Sequence, residues 1–203
     1  DLLILTGADG LLVLVLPTVR PPPPASLADW DSIDRATRAL APRAQLLVSV
    51  DASEREPCTP IHALDAGAPR PVASQFKLLV LGALARDVAL GHRSWTDVVT
   101  VRPEQASLPT GFTQEEVGVM LTSEDLAARM IAISDNTATD ALIHHAGRRN
   151  IERVQGLLGV DDPDLNRPLL TTRELFQLKL LAWPGLADLY AALPDAGQRV
   201  LLH

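Results

Sequence analysis

Residues 71–85 read PVASQFKLLVLGALA, and beyond its first polar positions this stretch is almost wholly apolar. The pattern predicts a buried helix from about Ser74 to Leu90. Lysine is scarce in this chain, since 16 of its 18 basic residues are arginines and only Lys77 and Lys179 are lysines. A protein that otherwise uses arginine has therefore placed one of its two ammonium groups at the start of an apolar helix.

Ser74 and Lys77 are three residues apart, so a helix places them on the same face. A serine hydroxyl becomes a good nucleophile when a base takes its proton. Arginine stays protonated in proteins, whereas lysine can act as a base when burial lowers its pKa. The pair is a candidate nucleophile and base. In the alternative interpretation Ser74 only caps the helix and Lys77 extends to water, and the S-x-x-K spacing alone does not separate the two.

A second polar motif, Ser134-Asp135-Asn136, lies 60 residues after Ser74, between two predicted helices. Ser, Asp and Asn are favoured N-cap residues, so a helix cap by itself explains the triplet. The combination of S-x-x-K with S-D-N is also found in penicillin-interacting enzymes, which add a third motif, K-T-G. The two motifs together favour the functional interpretation.

On these residues the chain resembles the active-site serine β-lactamases and penicillin-binding peptidases, with most similarity to the class A-like group. The resemblance covers about residues 26–203 and is strongest in 65–77 and in 122–143, especially 133–140, while 166–175 is similar to the end of the family's Ω-loop and the helix after it. It implies an α/β (α+β) fold, in which a helical subdomain accompanies helices packed on an antiparallel sheet.

The resemblance also implies a role for each motif residue. Ser74 would be the acylated nucleophile, Lys77 its base or proton relay, and Ser134 the shuttle of a proton to the leaving nitrogen. Asn136 would bind the substrate's side-chain amide and hold Lys77, while Asp135 would be structural within its own loop. The implied reaction is acyl-enzyme formation with a β-lactam or a peptidoglycan-like amide or ester, without a cofactor.

The third family motif is absent from the sequence. Neither lysine is followed by T-G or S-G, and Lys179 precedes two leucines. In the family this motif lies on a strand at the edge of the site. We therefore expect the C-terminal strands, which would complete the sheet, on a segment beyond His203 or on a partner chain. The alternative is a non-catalytic binding or accessory domain of the same fold that has lost K-T-G.

The second departure from the family pattern concerns the carboxylate that would activate water for deacylation, because the expected glutamate is not present in its motif. Residues 162–166, Asp-Pro-Asp-Leu-Asn, fit an E-x-x-L-N-like motif with Asp in place of Glu. Asp162 and Glu174 are the candidate general bases. Asp162 is better explained as a loop residue, and Glu174 as the partner of Thr171 in a capping box. Without an acid that positions water, the acyl-enzyme should be long-lived.

The remaining pattern predicts the organisation of the chain. Four consecutive prolines at 21–24 form a stiff spacer, so residues 1–25 are interpreted as a remnant of an upstream domain with its linker and 26–203 as the main domain. A β-hairpin is predicted around residues 7–10. Strands are predicted at 45–50, 60–64 and 98–101, and further helices at about 26–40, 122–133, 137–146, 151–158 and 171–182.

Composition excludes several classes of partner. The net charge is −7, no Lys/Arg-rich run is present, and aromatic residues make up 3%, which disfavours nucleic acid. No segment reaches the ~20 apolar residues of a membrane span. The five histidines lack metal-ligand spacing, so we predict no metal site. By the habit of the family we expect export from the cytoplasm, with a cytoplasmic location as the alternative.

Overall fold

The computed structural model describes residues 2–6, 12–17, 29–50, 58–112, 117–181 and 184–202. The chain divides into two compact units, Asp1–Arg70 and Pro71–His203. The domain boundary predicted near residue 25 lies outside the described residues and stays a prediction.

The described residues of the first unit form two antiparallel strand pairs and one helix. Its elements are β1 (Leu2–Thr6), β2 (Leu12–Pro17), α1 (Trp30–Leu40), β3 (Leu46–Val50) and β4 (Thr59–Leu64). β1 pairs with β2, and β3 with β4, both antiparallel. His62 connects α1 to β4, because its Nε2 lies 2.7 Å from Asp34 Oδ1 and its ring stacks on Trp30 with centroids 4.3 Å apart. The β1–β2 and β3–β4 pairs are where the sequence predicts them, and the predicted turn at residues 7–10 lies outside the described residues.

The second unit is mostly helical. Its helices are α2 (Lys77–Ala89), α3 (Ser123–Ala132), α4 (Asn136–Ala146), α5 (Arg148–Val154), α6 (Thr172–Phe176), α7 (Gly185–Ala192) and α8 (Asp195–Leu201). Two short antiparallel strands accompany them, β5 (Val98–Thr100) and β6 (Met120–Thr122). Short 3₁₀ turns occupy Ala73–Phe76, Pro103–Gln105, Gln155–Leu158 and Pro163–Asn166, and a π-helical turn follows α6 at Gln177–Leu181.

Helix α4 lies at the centre of this unit and contacts α2, α3, α5 and α6. It is buried along most of its length, since only its last turn carries partly exposed side chains. The core around it is formed by the apolar residues Val80, Ala83, Leu84, Leu126, Met130, Ala138, Leu142, Ile143, Ile151 and Val154. The S-D-N triplet leads directly into α4, so the most buried helix of the unit fixes its position.

The start of the apolar helix differs from the sequence prediction. Residues Ala73–Phe76 form a 3₁₀ turn, and the α-helix begins at Lys77 rather than at Ser74. Ala73 has a positive φ of 44°, a left-handed conformation that cannot continue as an α-helix. In a 3₁₀ turn the side chains at i and i+3 eclipse, so Ser74 and Lys77 still lie on one side of the chain.

In the described part of the chain the strands form three separate two-stranded antiparallel sheets beside a majority of helices. This agrees with the predicted α+β class and with a sheet that is incomplete in this chain. Among the described residues no helix has the length and apolar character needed to cross a membrane.

Candidate active site

Lys77 is buried, with only 2% of its surface exposed. Its Nζ donates to the carbonyl oxygen of Ser134 at 2.5 Å, to Ser134 Oγ at 3.0 Å and to Asn136 Oδ1 at 2.8 Å. An ammonium group has three N–H donors, and the triplet accepts all of them. The geometry rules out the alternative in which Lys77 extends to water, and it brings S-x-x-K and S-D-N into one cluster.

Burial lowers the pKa of Lys77, while the charges of Asp135 and Asp140 act in the opposite direction and the net pKa shift is downward. Removing an ammonium group from water disfavours its charged form, which is the cause of the shift. The neutral amine at Lys77 is therefore easier to reach than in an exposed lysine, as a proton acceptor requires.

Asp135 organises the loop that carries the triplet. Its carboxylate is 1% exposed and is the N-cap of α4, where it accepts from Ala138 N at 2.9 Å. It also accepts from Gly111 N at 2.5 Å and from Thr110 Oγ1 at 3.0 Å. Asp135 faces its own loop and the neighbouring segment, so its contacts are structural.

Replacing Asp135 by alanine is expected to lower the free energy of unfolding by about 2–4 kcal/mol, because several buried donors lose a charged acceptor. Urea denaturation followed by circular dichroism measures the change. Asp161→Ala, at an exposed loop position, is the matched control and should shift stability by less than about 0.5 kcal/mol. Equal effects of the two substitutions would contradict the structural role of Asp135.

Asn136 is the first residue of α4 and is 6% exposed. Its Oδ1 accepts from Lys77, and its Nδ2 donates to the carbonyl oxygen of Leu108 at 2.7 Å. These two bonds fix the orientation of the amide. A side-chain amide has two N–H donors, and the second is not used by any described residue, so it can bind a ligand carbonyl.

Ser74 is exposed and lies in the 3₁₀ turn before Lys77. The 3₁₀ geometry places its side chain on the same side of the chain as Lys77. None of the described residues hydrogen-bonds this side chain, so Ser74 has no direct bond to the amine. Ala73 (φ 44°) and Ser134 (φ 57°) both have left-handed backbone conformations. Such conformations at non-glycine residues are costly and tend to occur at functional sites. Here one of them is Ser134 itself and the other is Ala73, the residue before Ser74.

The two candidate general bases are not part of this cluster. Asp162 is exposed and accepts from Asp164 N at 3.3 Å within its own turn. Glu174 uses both oxygens elsewhere, accepting from Thr171 N at 2.7 Å and from Arg148 at 2.6 Å. Neither carboxylate bonds to Lys77 or Ser134. The capping-box interpretation of Glu174 agrees with this geometry.

Asp140 is a residue of the site region to which sequence reasoning gave no role. It is buried, and its carboxylate accepts from Thr172 N at 2.7 Å, Thr172 Oγ1 at 2.9 Å and Arg173 N at 2.9 Å. Burial raises the pKa of Asp140 to about 6, although these hydrogen bonds act to lower it. Asp140 thereby joins the start of α6 to α4. Its spacing of four residues from Asn136 is the signal that could have identified it.

No group of three or more His, Cys, Asp or Glu side chains with metal-binding geometry occurs among the described residues.

Comparison with protein families gives a direct result. The profile of the beta-lactamase enzyme family matches residues 62–189. The chain belongs to this family. The matched region contains the whole cluster, from Ser74 to Asn136, and both carboxylates considered for deacylation. The predicted family and fold class are confirmed.

Solved structures similar to parts of the chain carry related names. The chain is 34% identical to the crystal structure of a beta-lactamase from Sphaerobacter thermophilus, over 46% of this chain and 36% of that one, with a TM-score of 0.41. It is 26% identical to the L158E mutant of PBP-A in an acyl-enzyme complex with penicillin G, over 58% and 49%, with a TM-score of 0.44. The chain spans less than half the length of either. No curated protein matches it significantly.

Proposed function

We propose that this member of the beta-lactamase enzyme family is a serine hydrolase that forms an acyl-enzyme on Ser74, with a β-lactam or a peptidoglycan-like amide or ester as substrate. The observation that carries the proposal is the buried amine of Lys77. It lies one 3₁₀ turn from an exposed serine and bonds to Ser134 Oγ and Asn136 Oδ1. Burial of an ammonium group is costly unless it is hydrogen-bonded, and the three bonds to Ser134 and Asn136 hold the Lys77 amine in this buried position.

Acylation follows from these positions. The neutral amine of Lys77 takes the proton of the Ser74 hydroxyl, and Ser74 Oγ forms a bond to the substrate's carbonyl carbon. The second N–H of Asn136 Nδ2 donates a hydrogen bond to the carbonyl oxygen of the substrate's side-chain amide. The tetrahedral intermediate collapses as the bond between the carbonyl carbon and the leaving nitrogen or oxygen breaks. The product is an ester of Ser74.

Ser134 provides the route for the proton. Its Oγ lies 3.0 Å from Lys77 Nζ, within hydrogen-bond distance. The proton taken from Ser74 passes from Lys77 to Ser134 Oγ, and the hydroxyl proton of Ser134 passes to the leaving atom. Hydrolysis of the ester by water then releases the acid and restores the Ser74 hydroxyl.

Deacylation is expected to be slow, because neither Asp162 nor Glu174 lies in the Lys77 cluster. This favours a peptidase, an esterase or a slow β-lactamase over an efficient one. Asp162→Asn should change the deacylation rate constant less than about twofold, whereas loss of a true general base costs about 10²–10⁴-fold. The decay of the acyl adduct after removal of free β-lactam, followed by mass spectrometry, measures the rate. A tenfold slower decay in Asp162→Asn would identify Asp162 as the base.

The direct test of the proposed function is incubation of the protein with a fluorescent penicillin. We expect one covalent adduct per chain, mapped to Ser74 by peptide mass spectrometry. The absence of any adduct on protein with a cooperative unfolding transition would contradict the proposal.

A second candidate is a non-catalytic binding or accessory domain of the same fold. It is favoured by the lack of K-[ST]-G in the sequence and by the missing Ser74–Lys77 hydrogen bond in the described structure. Reversible β-lactam binding without a covalent mass increase would support this candidate. We also propose that a further segment or a partner chain completes the sheet, which sequencing of the flanking gene region would test. Export from the cytoplasm is a further proposal, which cell fractionation would test.

A further inference from the structure

A cavity of about 630 Å³ lies between α5, the residues before α6, and α8, away from the Lys77 cluster. Four of the chain's arginines line it: Arg149 and Arg153 on α5, Arg167 in the loop before α6, and Arg199 on α8. Glu152 and Asp195 are the two acidic side chains of its wall. The wall thus carries a net charge of +2 in a chain whose net charge is −7.

Two of the four arginines are held by neighbouring carboxylates. Arg199 donates to Asp195 Oδ2 and to Glu152 Oε2, both at 2.8 Å. Arg167 donates to Asp164 Oδ1 at 2.7 Å and to the carbonyl oxygen of Glu152 at 3.2 Å. When Asp164 is included, the net charge of the group is still +1.

Arg149 and Arg153 are exposed, and neither forms a hydrogen bond or ion pair with any described residue. They are four residues apart on α5, so they lie on one face with Cβ atoms about 6 Å apart. Like charges at this spacing destabilise a helix. An anion between the two guanidinium groups would remove this repulsion.

Glu152, next to Arg153 in the chain, joins the segments that form the cavity. The Glu152 side chain is buried, and besides Arg199 it accepts from Leu169 N at 2.8 Å. It therefore joins α5, the loop before α6 and α8. The hydrogen bond from Arg199 and the positive charges of Arg199, Arg167 and Arg149 hold the pKa of Asp195 below its ordinary value.

We propose that this cavity binds a phosphate group, held by Arg149 and Arg153 with Arg167 at its edge. Guanidinium groups bind phosphate with paired N–H donors, and two adjacent ones suit a dianion with several oxygens. The volume accommodates a small phosphorylated molecule. The site is separate from the proposed acylation chemistry and needs none of its residues.

Isothermal titration calorimetry with inorganic pyrophosphate at fixed ionic strength tests the proposal. We expect saturable binding to one site, weakened at least tenfold in the double variant Arg149→Gln/Arg153→Gln. The double lysine variant, which keeps the charge but loses the paired donors, should bind with intermediate affinity. Arg86→Gln, at an exposed arginine of α2 outside the cavity, is the matched control and should bind like the wild type. Thermal unfolding verifies that each variant is folded.

Co-sedimentation with phosphatidylglycerol vesicles separates the two sources of phosphate. Pyrophosphate binding that the double glutamine variant loses assigns the site to a soluble phosphate compound, and vesicle binding that this variant loses assigns it to a lipid headgroup. Either result supports a phosphate site. The proposal is overturned if neither probe binds, if the double glutamine variant binds like the wild type, or if Arg86→Gln weakens binding as much as the double variant does.

Discussion

Replacing Ser74 by alanine is expected to abolish covalent labelling by a fluorescent penicillin, while the protein stays folded. The acyl bond needs the Ser74 hydroxyl, because an alanine methyl group cannot form an ester. Ser74 is exposed and its side chain makes no hydrogen bond within the described structure, so its removal should cost less than about 1 kcal/mol of stability. Gel fluorescence and intact-mass measurement report the loss.

A neighbouring substitution separates this effect from damage to the turn. Gln75 is also exposed and belongs to the same 3₁₀ turn. Gln75→Ala should keep most of the labelling rate. Labelling that survives in Ser74→Ala would place the nucleophile elsewhere and refute the assignment. Loss in both variants would show that the turn, rather than the hydroxyl, controls labelling.

The elements that could be predicted from the sequence are those set by local interactions. The capping boxes at Thr122 and Thr171 begin α3 and α6 where the sequence places them, because a cap depends on residues three positions apart. Gly147 ends α4 with a φ of 84°, a conformation that glycine adopts without strain. The apolar run after Lys77 similarly located α2, apart from its first turn.

The interactions that could not be predicted join residues far apart in the chain. The three hydrogen bonds of Lys77 cross 57 to 59 positions. The family motif indicated that Lys77 and the triplet belong together and that Asn136 holds Lys77, but it did not indicate the bond from Lys77 to the carbonyl oxygen of Ser134. Asp135 accepts hydrogen bonds from Thr110 and Gly111, and the sequence of that segment contains no motif that predicts this contact.

Backbone geometry explains the other differences. The left-handed φ of Ala73 was not predictable, because alanine has no preference for that region, and it converts the first helical turn into a 3₁₀ turn. The arginine-lined cavity is formed by three segments that are separate in sequence. Local sequence pattern does not indicate that these segments meet.

Replacing Lys77 by arginine is expected to slow acylation by about 10²–10⁴-fold, the range for loss of a general base. Arginine keeps a positive charge and can still donate to Ser134 and Asn136, but it cannot lose its proton in a protein. The substitution therefore tests the proton acceptor rather than the charge. Stopped-flow labelling with a chromogenic cephalosporin measures the rate constant. Lys179→Arg, at the exposed second lysine, is the matched control and should retain the wild-type rate.

The pH dependence of the same reaction distinguishes a base from a structural cation. Only neutral Lys77 accepts a proton, so the acylation rate should rise with pH and level off above the pKa of Lys77. Burial lowers that pKa from the ordinary 10.5, so the midpoint should lie below this value. Lys77→Arg should lose the rise, and Lys77→Gln, which is smaller and uncharged, should lose it too, even if arginine is too large for the site. A wild-type rate that does not change with pH, or a rise that survives in either variant, would show that another group takes the proton of Ser74.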